Sequence, residues 1–236
     1  MASPSSPLRI GIYGSDGSPG PDGRGFSLWP VGYNGAIAAT EAIPIVLREL
    51  TAGDCWKEIL HGIDGVVLTE YTAAVQRQET EEEGLVKYCR QYNLPILAID
   101  LGMHILNAAH SGTLYQDLSR ELPEALQHRH PPEKGLRHAI TVEDGTLLAS
   151  LYGEGEVVVN SEHRRGLQRI GRGFRVSARA LDGVVEAIEF ESDQWFALGI
   201  QWHPASASAS GLDIQLFRGL VNACLAKSQA PSCAAA

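Results

Sequence analysis

Short apolar runs rich in β-branched residues alternate with longer mixed segments through the first half of the chain. Short apolar runs bounded by turn residues are typical of strands buried on both faces of a parallel sheet. Four such runs are Leu8–Tyr13, Ile43–Leu47, Asp64–Thr69 and Leu94–Ile99. Helical patterns lie between or after them, at Gly32–Glu41, Cys55–His61, Thr80–Asn93 and Leu101–His110. The alternation predicts parallel strands joined by right-handed helical crossovers.

The second half of the chain has a different pattern, in which strand-like segments are separated by turn residues. The turn signals include Glu143–Gly145 and Leu181–Gly183, both of which end in Asp-Gly. The strand-like segments are Arg137–Val142, Val157–Asn160, Phe174–Ala180, Val184–Phe190 and Phe196–Gln201. We expect them to be antiparallel strands added to one side of the sheet. The amphipathic segment Asp213–Ala226 predicts a closing helix.

These elements predict a flavodoxin-like, three-layer α/β/α fold with a mostly parallel central sheet and an antiparallel, β-rich flank. The chain has 236 residues, of which 44% are hydrophobic and 20% charged, and this is enough for one sizeable core. We expect a single domain over residues 8–226, with flexible termini at 1–7 and 228–236. The first seven residues are rich in Ser and Pro and have no signal-peptide pattern.

The formal net charge of −9 argues against a nucleic acid or an anionic membrane surface as a partner. No apolar run approaches the roughly 20 residues needed to span a bilayer. The four cysteines show neither metal-ligand spacing nor a C-x-x-C pair: Cys55, Cys89, Cys224 and Cys233. This pattern favours a cytoplasmic protein with free thiols.

The segment Ile96–His104 has the spacing of a nucleophile elbow, in which a buried strand turns sharply into a helix. Asp100 lies at the turn, and small residues, Ala98 and Gly102, stand two positions away on each side. Small neighbours are needed because the backbone turns too tightly for larger side chains.

The surrounding motifs resemble those of the gamma-glutamyl-gamma-aminobutyrate hydrolase branch of the class I glutamine amidotransferase superfamily. The resemblance runs from Leu8 to about Ala226 and implies that family's fold. The matching motifs, in chain order, are Leu94–Asn107 (LPILAIDLGMHILN), Ser111–Leu118 (SGTLYQDL), Val159–His163 (VNSEH), Asp182–Ala187 (DGVVEA) and Leu198–Pro204 (LGIQWHP).

The departures from the family pattern fall on the catalytic positions. Asp100 stands where the family has its nucleophilic Cys, and His104 stands where it has a Gln. The catalytic His is kept as His203, but the Glu two residues later is Ala205. The Gly-rich segment that supplies oxyanion-stabilising amides is replaced by Thr69–Ala74. The resemblance therefore implies a family member without ordinary thiol hydrolysis.

The same motifs identify candidate ligand contacts. We expect a substrate-binding role for the following residues: Glu70, Tyr71, His104, Gln116, Ser161 and His163. Glu70, Asp100, His104, His163 and His203 combine carboxylate and imidazole groups, but they have no local metal-ligand spacing. We expect no metal and no cofactor.

Other polar residues are expected to have structural or solvated roles. At most one of Arg164 and Arg165 is expected to contact a ligand anion, because adjacent side chains point apart. His128, His130 and His138 lie near a Pro-rich loop and are expected at the surface. None of the cysteines follows a buried strand at an elbow, so a relocated thiol nucleophile is not expected.

Several roles stay open for Asp100: helix cap, ligand-contacting carboxylate, general base or nucleophile. We predict a catalytically degenerate homologue with a pocket for an amino-acid-like or γ-glutamyl amine ligand. The alternatives are a repurposed enzyme using Asp100 and His203, or a hydrolase of γ-glutamyl amide bonds. A homodimer or a regulatory protein partner is also left open by the sequence.

Overall fold

The computed structural model describes residues 6–14, 32–48, 50, 55–69, 79–129 and 136–229. Its strands are β1 (Arg9–Tyr13), β2 (Ile43–Val46), β3 (Gly65–Leu68), β4 (Ile96–Ile99), β5 (Thr113–Tyr115), β6 (Arg137–Val142), β7 (Gly155–Asn160), β8 (Gly166–Arg169), β9 (Phe174–Ala180), β10 (Val185–Phe190) and β11 (Ala197–Ile200). Its helices are α1 (Tyr33–Ala38), α2 (Trp56–Ile59), α3 (Glu79–Gln91), α4 (Leu101–Ala108), α5 (Leu118–Glu121), α6 (Leu147–Tyr152) and α7 (Ile214–Gln229), the last preceded by a 3-10 turn at Gly211–Asp213.

One mixed sheet organises the fold, with the strand order β2-β1-β3-β4-β11-β10-β9-β6-β7. The first five strands in this order are parallel, and the strands from β10 to β7 are antiparallel to their neighbours. The predicted parallel sheet with an antiparallel flank is therefore confirmed. The assignment of Phe196–Gln201 to the antiparallel flank is wrong in part, because β11 runs antiparallel to β10 but parallel to β4.

Two apolar layers cover the sheet. Strand β4 shows the division: Leu97 and Ile99 contribute to the layer with α1, α6 and α7, whereas Ile96 and Ala98 contribute to the layer with α2, α3 and α4. All four residues are fully buried, as expected for a strand covered on both faces. The three-layer α/β/α arrangement is thus confirmed.

Short elements add to this plan. Strands β5 and β8 pair in a separate two-stranded ribbon, and helix α6 is capped by the hydroxyl of Thr146, which accepts from the Ala149 amide at 3.0 Å. None of the helices in the described part of the chain has the length and apolarity to cross a membrane.

Candidate functional site

Asp100 occupies a sharp turn between β4 and α4. Its amide donates to the carbonyl of Ile200 at 2.8 Å, so β4 and β11 remain paired up to the turn. Its backbone has φ 50° and ψ −111°, a conformation that residues with a side chain rarely adopt. Such conformations cost on the order of 1–3 kcal/mol and are concentrated at functional sites.

The carboxylate of Asp100 does not cap the helix that follows. Its side chain makes no capping hydrogen bond to α4. Instead Oδ1 accepts from Nε2 of Gln201 at 2.5 Å. Gln201 follows β11 directly, so the turn is held by a side chain from the neighbouring parallel strand. Of the roles considered for Asp100, the structure removes the helix cap.

His104 extends this arrangement from the next turn of α4. Its Nε2 donates to Oε1 of Gln201 at 2.8 Å, because the amide oxygen can only accept. Burial lowers the pKa of His104, and the nearby Asp100 carboxylate only partly opposes this effect. The imidazole is therefore neutral at physiological pH and forms one end of a hydrogen-bonded link from His104 through Gln201 to Asp100.

His203 lies three residues beyond β11 and is held through its main chain. The amide of His203 donates to Oδ1 of Asn160 at 2.9 Å, and its carbonyl accepts from Nδ2 of Asn160 at 3.0 Å. The same Nδ2 donates to the hydroxyl of Ser206 at 3.2 Å. One buried amide therefore fixes the segment that carries His203.

Replacing Asn160 by aspartate is expected to loosen this segment. The acceptor for the His203 amide is kept, but a carboxylate oxygen replaces the donor that faces the His203 carbonyl. We expect the free energy of unfolding to fall by roughly 2 kcal/mol, because a buried acceptor loses its donor and a charge is buried. Urea unfolding measures this change. The matched control is Asn34→Asp on the exposed face of α1, which should change the free energy of unfolding by less than about 0.5 kcal/mol. Equal free energies of unfolding for the two variants would contradict the role of Asn160.

Ala205 packs against the turn that precedes α1. Gly32, which precedes α1 with φ 134°, approaches this residue so closely that a Cβ on Gly32 would lie 2.0 Å from the Ala205 carbonyl oxygen. Ala205 is partly buried against the apolar layer that contains α1. Ala205 therefore has a packing role in the structure, in contact with the start of α1.

A cavity of about 270 Å³ lies at the elbow. Its lining residues are Asp100, Leu101, His104, Arg129, Glu162, His163, Arg164 and Arg165. A second cavity of about 310 Å³ shares Leu101 and His104 with the first and is also lined by Gln116. The first turn of α4 therefore contributes to both cavities.

The predicted ligand contacts are only partly brought together. Asp100, His104 and His163 line the first cavity, and Gln116 lines the second. The hydroxyl of Ser161 donates to the carbonyl of His128 at 2.7 Å and is buried. Glu70 and Tyr71, like the rest of the segment from residue 70 to 74, lie outside the described residues.

The two adjacent arginines differ in their surroundings. Arg164 donates to Oδ2 of Asp117 at 2.8 Å across the exposed surface. Hydrogen bonds from the hydroxyl of Ser119 and from Arg164 lower the pKa of Asp117 to about 2. Arg164 is thus engaged by a carboxylate of the protein, whereas Arg165 lines the cavity beside His104 and its carbonyl accepts from the His163 ring.

The expected surface positions of His128 and His138 are wrong. The side chains of His128 and His138 are 1% and 8% exposed, and both lie against Glu186 together with His163. The four residues come from separate segments, so no local spacing indicates the cluster. His130 lies outside the described residues.

The described cysteines do not supply a replacement nucleophile at the elbow. Burial raises the pKa of Cys224 to about 12 and raises that of Cys89 further. Thiols in such surroundings are inert, because the thiolate is the nucleophile. Cys55 is exposed before α2, and Cys233 lies outside the described residues.

Known proteins are similar to this chain in sequence and in fold. The sequence profile of the Peptidase C26 family matches residues 69–205. The gamma-glutamyl-gamma-aminobutyrate hydrolase of Escherichia coli O157:H7 is 33% identical over 216 residues, which are 81% of this chain and 84% of that relative.

Two solved structures show the same fold at low sequence identity. A Thermoplasma acidophilum protein described as part of a GMP synthase has a TM-score of 0.68 at 16% identity, over 94% of this chain and 96% of its own. A glutamine amidotransferase of Thermotoga maritima has a TM-score of 0.60 at 12% identity, over 94% of this chain and 86% of its own. With the profile spanning more than half of the chain and the Escherichia coli relative aligned over most of both proteins, this chain belongs to the Peptidase C26 family, with the class I glutamine amidotransferase-like fold.

Proposed function

We propose that this chain is a catalytically degenerate member of its family that binds an amino-acid-like or γ-glutamyl amine ligand without hydrolysing it by thiol chemistry. The observation that carries the proposal is the carboxylate of Asp100 at the strained elbow, hydrogen-bonded to Gln201 and lining a cavity. The sharp turn from β4 into α4 supports this proposal, because an elbow of this kind presents one side chain beside a helix N-terminus.

The chemistry of the replacements supports the loss of thiol hydrolysis. A thiolate attacks an amide carbonyl and forms a thioester, a step that the carboxylate of Asp100 does not perform. Removing the nucleophile of a catalytic triad costs on the order of 10⁶ in turnover in a serine protease. Ala205 has no group to orient the imidazole of His203, and it packs against Gly32.

The charges around the elbow cavity favour a ligand with both an ammonium and carboxylate groups. Asp100 and Glu162 supply negative charge, while Arg129 and Arg165 supply positive charge. Guanidinium groups bind carboxylates through charge-assisted hydrogen bonds. The name of the Escherichia coli relative specifies gamma-glutamyl-gamma-aminobutyrate, a molecule with one ammonium and two carboxylates. This compound is the first ligand to test.

Calorimetric titration of the full chain with γ-glutamyl-γ-aminobutyrate tests the pocket. We expect saturable binding that Arg165→Ala weakens about ten- to a hundredfold, because a hydrogen bond to a charged group is worth about 1.5–3 kcal/mol. Arg218→Ala is the matched control, since Arg218 is exposed on α7 and does not line this cavity. Absence of binding, or equal binding by both variants, would contradict the proposed pocket.

A hydrolysis assay on the same ligand separates binding from catalysis. We expect no release of γ-aminobutyrate from the wild-type chain above the uncatalysed background. Turnover that disappears in Asp100→Ala would overturn the degenerate assignment and establish carboxylate chemistry at the elbow. Asp100→Asn serves as the near-isosteric variant, because it keeps the shape of the side chain and removes its charge.

A further inference from the structure

Three histidines and one glutamate converge inside the antiparallel half of the protein. His138 lies on β6 and Glu186 on β10, while His128 and His163 lie in the segments that follow α5 and β7. The side chains of His128, His163 and Glu186 are each 1% exposed. The cluster is separate from the link that joins His104, Gln201 and Asp100.

The distances from Glu186 to the three imidazoles match those between the ligands of one metal ion. Oε1 of Glu186 lies 3.3 Å from Nδ1 of His128, 3.5 Å from Nε2 of His138 and 3.3 Å from Nε2 of His163. One donor atom from each side chain lies within 4.8 Å of all the others. Tetrahedral zinc with bonds of about 2.0–2.1 Å requires about 3.3–3.4 Å between donor atoms.

The donor atoms of this cluster have no hydrogen-bond partner among the described residues. They are Nδ1 of His128, Nε2 of His138, Nε2 of His163 and both carboxylate oxygens of Glu186. Leaving a buried polar atom unpaired costs about 1–3 kcal/mol, and more for a charged group. A cation at the centre would pair the three imidazole nitrogens and a carboxylate oxygen of Glu186 at once.

The second nitrogen of each imidazole fixes which nitrogen faces the centre. Nε2 of His128 lies 2.9 Å from Oδ2 of Asp182. Nδ1 of His138 lies 3.1 Å from the carbonyl oxygen of Ala139, and Nδ1 of His163 lies 2.8 Å from that of Arg165. All three partners accept hydrogen bonds, so the outer nitrogens carry protons, and in the neutral imidazoles the inner nitrogens present lone pairs. Metal-binding histidines are oriented in this way.

A proton does not satisfy the cluster as well as a cation does. Protonating one inner nitrogen provides a single donor to Glu186, and the two other imidazoles then direct lone pairs at the carboxylate. A divalent cation accepts electron pairs from all four ligands and balances the buried negative charge. Imidazole and carboxylate ligands suit zinc and neighbouring first-row metals.

We propose that His128, His138, His163 and Glu186 bind one divalent transition-metal ion, zinc(II) in the first instance, as a closed structural site. Four protein ligands complete a tetrahedral shell and leave no open position for a substrate. A cavity of about 400 Å³ is lined by His128 and His163, and its other lining residues include exposed ones such as Arg129. The site does not depend on the proposed ligand or on the loss of hydrolysis.

The metal links the sheet to the wall of the elbow cavity. Arg129 is adjacent to His128, and Glu162 and Arg164 flank His163, so two ligands lie in the segments that supply cavity residues. Binding of the ion fixes both segments to β6 and β10. The site thereby positions charged side chains around the elbow cavity, which His163 itself lines.

Metal analysis of the untagged 236-residue chain tests the proposal. The protein is stripped with a chelator, loaded with zinc(II), desalted and measured by mass spectrometry for metal content. We expect about one zinc per chain in the wild type and in His61→Ala, and at least tenfold less in His138→Ala and Glu186→Gln. His61 is exposed and lies beyond α2, outside the cluster.

A second measurement does not depend on whether these variants fold. Cobalt(II) loaded into the wild type is expected to give the visible absorption of a four-coordinate ion, and zinc(II) should displace it. Asp182→Asn is expected to weaken zinc binding about ten- to a hundredfold in competition with a chelating dye, because it alters the partner of His128. A wild-type chain that retains no zinc, or zinc retained equally in Glu186→Gln and His138→Ala, would overturn the proposal.

Discussion

Gly102→Ala is expected to lower the free energy of unfolding by about 3 kcal/mol or more. A Cβ at position 102 would lie 2.2 Å from the carbonyl oxygen of Leu68, far inside contact distance. Relieving this contact requires α4 to move away from β3, because the atom that the new methyl group meets belongs to the main chain of β3 and cannot rotate aside. Overpacking of a well-packed interior costs typically about 1–3 kcal/mol, and a contact with backbone lies at the upper end.

Gly35→Ala is the matched control for this substitution. Gly35 lies within α1, and a Cβ there meets nothing within 4 Å. The same exchange should therefore leave stability unchanged or raise it by about 0.4–1 kcal/mol. Chemical denaturation of the two variants measures the difference. A Gly102→Ala chain as stable as the Gly35→Ala chain would show that the elbow tolerates bulk, contrary to the packing described.

Gln201→Leu should destabilise the protein by roughly 3 kcal/mol, because it removes both hydrogen bonds of the link between Asp100 and His104. Gln201 is fully buried, and its side-chain amide pairs with Oδ1 of Asp100 and Nε2 of His104. Leucine has a similar volume, so lost packing contributes little. The cost comes from leaving a buried ring nitrogen and a half-buried carboxylate oxygen without a partner, and an unpaired buried group costs about 1–3 kcal/mol.

The control for this change is Gln194→Leu, which makes the same exchange at an exposed position. Surface substitutions of this kind change stability by less than about 0.5 kcal/mol. Thermal unfolding of the two variants, with a check on the Gln201→Leu fold by circular dichroism, separates the effects. If Gln201→Leu unfolds at the wild-type temperature, the link to Asp100 makes no contribution to stability.

The sequence is most informative where a structural element depends on local pattern. Strands β3 and β4 are buried along their whole length, so their apolar runs identify them directly. The ribbon of β5 and β8 is not predicted from sequence, because each strand is short and its partner lies about 50 residues away. The position of β11 is also not predictable from local pattern, because it pairs with β4, about 100 residues earlier in the chain. It lies between the parallel and the antiparallel strands of the sheet, parallel to β4 and antiparallel to β10.

The candidate site is predictable only in part for a similar reason. The elbow at Asp100 follows from a strand, a small-residue spacing and a helix that are contiguous in sequence. The partner of Asp100 comes from the far end of the chain, and a motif shows that Gln201 is present without showing what it contacts. The four residues around Glu186 lie in different segments, so only the tertiary structure brings them together.

The central place of β11 has a consequence for the newly made chain. Strand β4 is complete at Ile99, but its neighbour begins only at Ala197, about 100 residues later. At a synthesis rate of roughly 5–20 residues per second, the nascent protein presents an entirely apolar strand with an unpaired edge for roughly 5–20 s. The pocket is therefore assembled late, and a ribosome that stalls before residue 197 leaves a product prone to aggregate through β4.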